Sequence, residues 1–239
     1  MIDNRTRRPL IGITVDRIEK NEPTDASYSV RCNYVEALSD TGAQSILLPF
    51  DPDAISLYAN LCDGFLVTGS HPGEIGSLKR QAFDRALIRT ALEEEIPLLG
   101  ICNGMQMIGL ALGGELLPAT DEGPDKTINH NPEPIPNSPA HPIVPTPDTR
   151  LAHMALGGGT SEILVNSLHK QALAHTGNFH VAATAPDGIV EALEVPGHPF
   201  AMGVQWHPEY RLTAFDRTIL TCFVSACFKR KESHPCPKH

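Results

Sequence analysis

The chain has 239 residues, of which 41% are hydrophobic and 20% charged, enough apolar material for a sizeable core and no sign of global disorder. A formal net charge of -9 argues against general binding to nucleic acid or an anionic membrane, because phosphate contacts need clustered Lys and Arg. No apolar run is long enough to cross a bilayer, and the amino-terminal one stops at Asp16, too short for a signal peptide.

In chain order, PLIGITV (9–15) reads as a buried strand, and a helix follows from about Arg31 to Asp40, ended by Thr41-Gly42. SILLPF (45–50) is a second strand, and DPDAISLYANL a helix with Asp51 or Asp53 near its cap. GFLVTG (64–69) is a third strand. A helix over 78–94 places Phe83, Ala86, Leu87 and Ala91 on one stripe and leads into IPLLGI (96–101). This alternation predicts an α/β fold, an open and mostly parallel sheet with helices on both faces. Residues 121–147 hold eight of the 21 prolines, so that stretch is expected to be a surface excursion, neither helix nor central strand. Strand-like segments resume at 162–166, 179–185, 188–195 and 200–206, with Asp187-Gly188 as a hairpin turn, and form an added antiparallel segment. A last helix runs from about Ala214 to Phe228, with a frayed tail over 229–239. One domain over 1–239 is expected. Six scattered cysteines without a CxxC pair suit reduced thiols and a cytoplasmic protein.

The chemistry concentrates in two places. Gly100-Ile101-Cys102-Asn103-Gly104 follows a buried strand and precedes the helical MQMIGLAL, the G-x-nucleophile-x-G form of a nucleophile elbow. Such a turn holds the thiol at the carboxyl edge of the sheet and at a helix amino terminus, whose partial positive charge favours thiolate. The Asn103 peptide N–H then points where an oxyanion would form. An ordinary Gly-rich turn around a buried cysteine has the same pentapeptide. The second place, VQWHPE (204–209), ends a strand, and in extended backbone His207 and Glu209 face one side. Imidazole supplies the base and acid a thiol needs, and a carboxylate on its far nitrogen fixes the tautomer.

Together GICNGMQ and VQWHPE resemble the nucleophile and His-Glu motifs of class I glutamine amidotransferases. PLIGIT (9–14), YVEALSDTGAQSILLPF (34–50), VNSLHKQA (165–172) and APDGIVEALE (185–194) are similar to the free-standing gamma-glutamyl-gamma-aminobutyrate hydrolase branch. The resemblance covers nearly the whole chain. It implies a Cys102–His207–Glu209 triad, a gamma-glutamyl thioester, a small gamma-glutamyl substrate, and neither metal nor organic cofactor. It also implies a second oxyanion donor at Gly69 beside Ser70, a substrate contact at Gln106, and Ser167 and His169 next to the site, with His169 shaping the pocket. His130, His141 and His153 sit in Pro-rich or loop sequence without ligand spacing.

Two departures flank the expected cleft. Asn103 stands where the branch has arginine, which predicts a weaker preference for a leaving amine that carries a carboxylate. The loop GSHPGEIG (69–76) is shorter than the family's Gly-Gly-Asp segment. A glutaminase delivering ammonia to a separate synthase, a homo-oligomer, and a non-catalytic binding protein on the same scaffold all stay open from sequence.

Overall fold

The runs PLIGITV, GFLVTG and IPLLGI lack polar alternation because the strands they form are covered on both faces. The computed structural model describes residues 8–18, 25–70, 76–117, 128–132, 138–156 and 162–233. Its main sheet has nine strands. Five are parallel, in the order β4 (Gln44–Leu48), β1 (Leu10–Thr14), β5 (Gly64–Val67), β6 (Leu98–Ile101) and β13 (Ala201–Val204). Every residue of β5, β6 and β13 is buried. The sheet then continues antiparallel through β12 (Val190–Glu194), β11 (His180–Thr184), β8 (His141–Pro145) and β9 (Ile163–Val165).

Helices α1 (Cys32–Asp40), α5 (Arg150–Leu156) and α6 (Ala214–Ser233) pack on one face, around Leu38, Leu151, Ile219 and Phe223. Helices α2 (Ile55–Leu61), α3 (Leu78–Glu93) and α4 (Asn103–Ala111) cover the other, around Ala59, Phe83, Leu87 and Ile108. Among the described residues no helix is long and apolar enough to cross a membrane. From β1 the chain builds outward to β4, then returns to place β5 on the opposite side of β1. That reversal is the switch point at which open α/β sheets bind ligands beyond the strands' carboxyl ends.

Two expectations are corrected, and two short strand pairs were not foreseen. The Pro-rich stretch contributes β8, which lies between two other strands of the sheet. Prolines are tolerated because β8 is never paired on both sides at one residue. His141–Ile143 pair with β9, whereas Val144 and Pro145 pair with β11. The flanking N–H groups of Ala140 and Thr146 donate instead, to Val165 O at 2.7 Å and Ala182 O at 2.8 Å. Of the rest of the excursion, 121–127 and 133–137 lie outside the described residues. Second, residues 229–233 of the expected tail continue α6, where Lys231 Nζ donates to Arg8 O at 2.7 Å and Arg230 donates to Glu94 O at 3.0 Å; 234–239 lie outside the described residues. A short ribbon of β2 (Asp16–Ile18) and β3 (Ser27–Ser29) follows directly on β1, above the sheet's carboxyl edge. The pair β7 (Leu116–Leu117) and β10 (Ala172–Leu173) is likewise unforeseen.

Candidate active site

The turn after β6 is strained in the way the elbow motif requires. Cys102 has φ 53° and ψ -107°, a conformation that costs a non-glycine residue on the order of 1–3 kcal/mol. The surroundings enforce it. Cys102 N–H donates to Val204 O at 2.8 Å on β13, and Cys102 O accepts Gln106 N–H at 3.1 Å. The flanking glycines allow the close approach: a Cβ at Gly104 would stand 2.0 Å from Val67 O, and one at Gly100 2.6 Å from the Gly104 backbone. As first residue of α4, Asn103 has no carbonyl a turn behind it for its N–H.

His207 follows β13, and its backbone is clamped by Asn166. The Asn166 side chain accepts His207 N–H at 2.8 Å and donates to His207 O at 2.9 Å. The preceding Trp206 is fully buried and donates its indole N–H to Asp216 on α6 at 3.2 Å. His207 and Glu209 meet at 2.7 Å through Nδ1 and Oε1. They do so differently from the extended geometry anticipated, because Pro208–Tyr210 forms a 3-10 turn that brings the carboxylate back under the ring. Nε2 has no hydrogen bond among the described residues. Burial works against a charge on this ring, but Glu209 and then Cys102 outweigh it and raise His207 well above its ordinary value.

Gly69 closes the group. A Cβ there would lie 3.2 Å from His207 Cε1 and 3.6 Å from Cys102 Cβ, so the loop after β5, the elbow and His207 converge on one point. The Gly69 N–H donates to Tyr34 Oη at 3.0 Å. The second oxyanion donor anticipated at Gly69 is therefore engaged by tyrosine in this arrangement. Tyr34 stays a neutral phenol, since burial and then Glu209 push it well above its ordinary value. Gly69, Tyr34, His207 and Glu209 line a cleft of about 580 Å³ that also takes in Asp16, Arg17, Arg31, Ser70 and Tyr210, among others.

Sequence reasoning missed the residue that holds this loop. Arg80, in the first turn of α3, is 1% exposed. It donates to Asp84 at 3.1 Å, Gly69 O at 3.0 Å, Thr68 O at 2.7 Å and Thr68 Oγ1 at 3.0 Å, and pairs with Asp16. Those contacts engage the five N–H donors of a guanidinium. The signal was available: Arg80 and Asp84 are oppositely charged, four apart, and on the stripe of Phe83, Leu87, Ile88 and Ala91.

Three anticipated site residues make their contacts away from the cleft. Gln106 is buried and braces α4 to the following segment, donating to Gln171 O at 2.8 Å and Gln205 Oε1 at 3.3 Å. Ser167 is fully buried and donates to His130 O at 2.6 Å. Leu168, not its neighbours, lines the cleft. His169 does not shape the pocket; it turns inward to Glu191, 3.5 Å away. The side chain of Asn103 is buried, 2% exposed. The expectation of unrelated loop histidines also fails for His130 and His141, both buried and 4.6 Å apart between ring centroids. His153 is exposed on α5. The compressed loop over 71–75 lies outside the described residues. The other described cysteines differ in setting: burial pushes Cys62 up to about 12 and Cys227 well above the usual thiol range, and Cys32 is exposed on α1.

A nine-stranded sheet with an elbow at β6 and a His-Glu pair after β13 defines a class I glutamine amidotransferase-like protein. The chain belongs to the peptidase C26 family, a hydrolase family whose model matches residues 9–209. It is 32% identical to the gamma-glutamyl-gamma-aminobutyrate hydrolase of Escherichia coli K12, over 95% of this chain and 96% of that protein. Identity is also 32% to a glutamine amidotransferase-like protein of Rickettsia prowazekii, over 85% of this chain and 92% of that one. The fold is similar to the crystal structure of a GMP synthase component from Thermoplasma acidophilum, with a TM-score of 0.66, 22% identity, and coverage of 95% and 98% of the two chains.

Proposed function

We propose that the chain hydrolyses the γ-amide of a γ-glutamyl amine, with Cys102 as nucleophile, His207 as acid and base, and Glu209 as the group that orients His207. The observation that carries this reading is the convergence of the strained Cys102 turn, the Gly69 loop and the His207–Glu209 pair at one end of the parallel strands. The Cys102 thiolate attacks the γ-carbonyl carbon and a C–S bond forms. The oxyanion faces the Asn103 N–H, and the His207 imidazolium protonates the departing nitrogen as the C–N bond breaks. Neutral His207 then takes a proton from water, which attacks the thioester; the C–S bond breaks, glutamate leaves, and the Cys102 thiolate and His207 imidazolium are restored. Arg17, Arg31 and Asp16 give the cleft charges of both signs, as the ammonium and carboxylate of a glutamyl group require.

The test is glutamate release by the isolated protein from glutamine and from several γ-glutamyl amines. The expected result is direct turnover of at least one γ-glutamyl amine without a partner protein. If no γ-glutamyl amide is cleaved, the self-contained hydrolase reading fails in favour of a partner-dependent glutaminase.

A pH profile examines the pair. Because His207 titrates well above its ordinary range, the imidazolium persists through neutral pH, and activity falls as pH rises through the His207 value. Glu209→Gln removes the largest influence that raises it, so the basic limb of kcat/KM should move to lower pH, with a smaller rate loss than His207→Ala. An unmoved limb would separate Glu209 from the function of His207.

A further inference from the structure

A second cluster of titratable groups lies within the antiparallel half of the sheet, and the mechanism above does not use it. His130 precedes the strand region in the 128–132 segment, His141 begins β8, His169 follows Asn166-Ser167-Leu168, and Glu191 sits on β12. Their exposures are 3%, 4%, 2% and 0%. One atom from each falls within 4.8 Å of all the others. Glu191 Oε1 is 3.3 Å from His130 Nδ1, 3.6 Å from His141 Nε2 and 3.5 Å from His169 Nε2. None of these atoms, nor Glu191 Oε2, has a hydrogen bond among the described residues.

The far nitrogens of the rings explain how they are aimed. His130 Nε2 meets Asp187 Oδ2 at 2.8 Å, His141 Nδ1 meets Pro142 O at 3.1 Å, and His169 Nδ1 meets Gln171 O at 3.2 Å. A carboxylate and two carbonyls only accept, so each far nitrogen carries the proton. In a neutral ring the inward nitrogen then presents a lone pair. Three imidazole lone pairs and a carboxylate converging in a space closed to solvent repel one another unless protons or a cation lie between them, and one cation at their centre meets all four at once, whereas a proton on one ring meets a single contact. Orientation of each ligand ring by a carboxylate or carbonyl behind it is the usual second layer of a metal site.

We propose that His130, His141, His169 and Glu191 bind one divalent first-row cation, with Zn²⁺ the best match. Bonds of about 2.0–2.1 Å in a tetrahedron put neighbouring ligand atoms about 3.3–3.4 Å apart, close to the separations from Glu191. Three imidazoles and one carboxylate suit Zn²⁺ better than Mg²⁺ or Ca²⁺, which take oxygen ligands. The four ligands fill a tetrahedral shell and the site is buried, so the ion is structural. It would tie β8 and β12 to the 166–171 segment, whose Asn166 clamps His207 and whose Gln171 O receives Gln106 from the helix after Cys102.

The experiment is elemental analysis of the full chain, purified without a histidine tag or chelator, followed by stripping and reloading. The native protein should carry about one zinc per chain, and the stripped protein should regain about one equivalent of Zn²⁺ in competition with a chromophoric chelator. Reloading in roughly thousand-fold excess over Kd should raise Tm by about 8–16 °C. Glu191→Gln and His141→Ala should lose the metal, while His153→Ala keeps it. A native protein with less than about a tenth of an equivalent of any first-row metal, whose Tm and chelator competition do not respond to Zn²⁺, would overturn the proposal whether or not the variants fold. Metal content and Tm are read independently of turnover, so this outcome is separate from the fate of the hydrolase reading.

Discussion

Cys102→Ala is expected to lose about 10⁴-fold or more in kcat while the protein stays folded. Cys102 is 8% exposed, and its Cβ packs in the core cluster that holds Ile101, Val204 and Trp206. Alanine keeps that Cβ and removes only the sulfur, so circular dichroism and Tm should change little. In the proposed mechanism the loss is large because attack, thioester formation and the function of His207 all pass through one atom. Cys102→Gly makes a useful companion. Glycine accepts φ 53° without strain, so this variant should be equally inactive and more stable than Cys102→Ala, within the order of 1–3 kcal/mol that such strain stores. Cys32→Ser, on the exposed start of α1, should leave kcat within about two-fold, as surface changes do. A Cys102→Ala protein that keeps a tenth of wild-type activity would remove the thiol from the mechanism.

Arg80→Met should produce the largest stability loss of any single change at the site, about 3–5 kcal/mol. For a chain of this size that corresponds to a Tm lower by about 6–20 °C. Its guanidinium is enclosed and engages all its donors, so removing it strands the acceptors of Thr68 and Gly69 and leaves Asp84 buried beside an apolar side chain. Asp84 is already pushed up to about 6 by burial despite the compensating arginine. Asp16 is about a third exposed and can hydrate when its partner goes. Arg80→Lys should recover little, because an ammonium has three donors and no planar fork. Adding Asp84→Leu to Arg80→Met should restore part of the stability, because both members of the buried pair are then gone. It should not restore kcat, since nothing then holds the Thr68–Gly69 loop in place near Cys102 and His207. Full recovery of turnover in the double variant would show that Arg80 acts on stability alone.

The parallel half of the fold was legible because its signals are local. Apolar runs, helix stops and the glycines of the elbow each lie within a few residues, and the strands and helices fall close to where the runs predicted them. The antiparallel half was harder to read because its contacts are made through sheet register. His130, His141, His169 and Glu191 have no spacing in common along the chain; β8, β12 and the 166–171 segment bring them together. β8 itself was obscured by Pro142 and Pro145, which are acceptable only because its two halves pair on opposite sides. Asn166 was within a motif noted as close to the site, yet its role depends on two hydrogen bonds to the His207 backbone that no side-chain pattern announces. Gln106 illustrates the converse. The family resemblance implied a substrate contact there, but its amide donates to Gln171 and Gln205 instead.

The central claim is that the γ-glutamyl group passes through a thioester on Cys102. Mixing the isolated protein with a γ-glutamyl amine, quenching with acid during turnover and mapping the peptides by mass spectrometry reads that intermediate directly. The account predicts a γ-glutamyl adduct on the peptide carrying Cys102, discharged by hydroxylamine and absent from Cys102→Ala. Turnover with the adduct on another residue, or with glutamate release undiminished in Cys102→Ala, would contradict it.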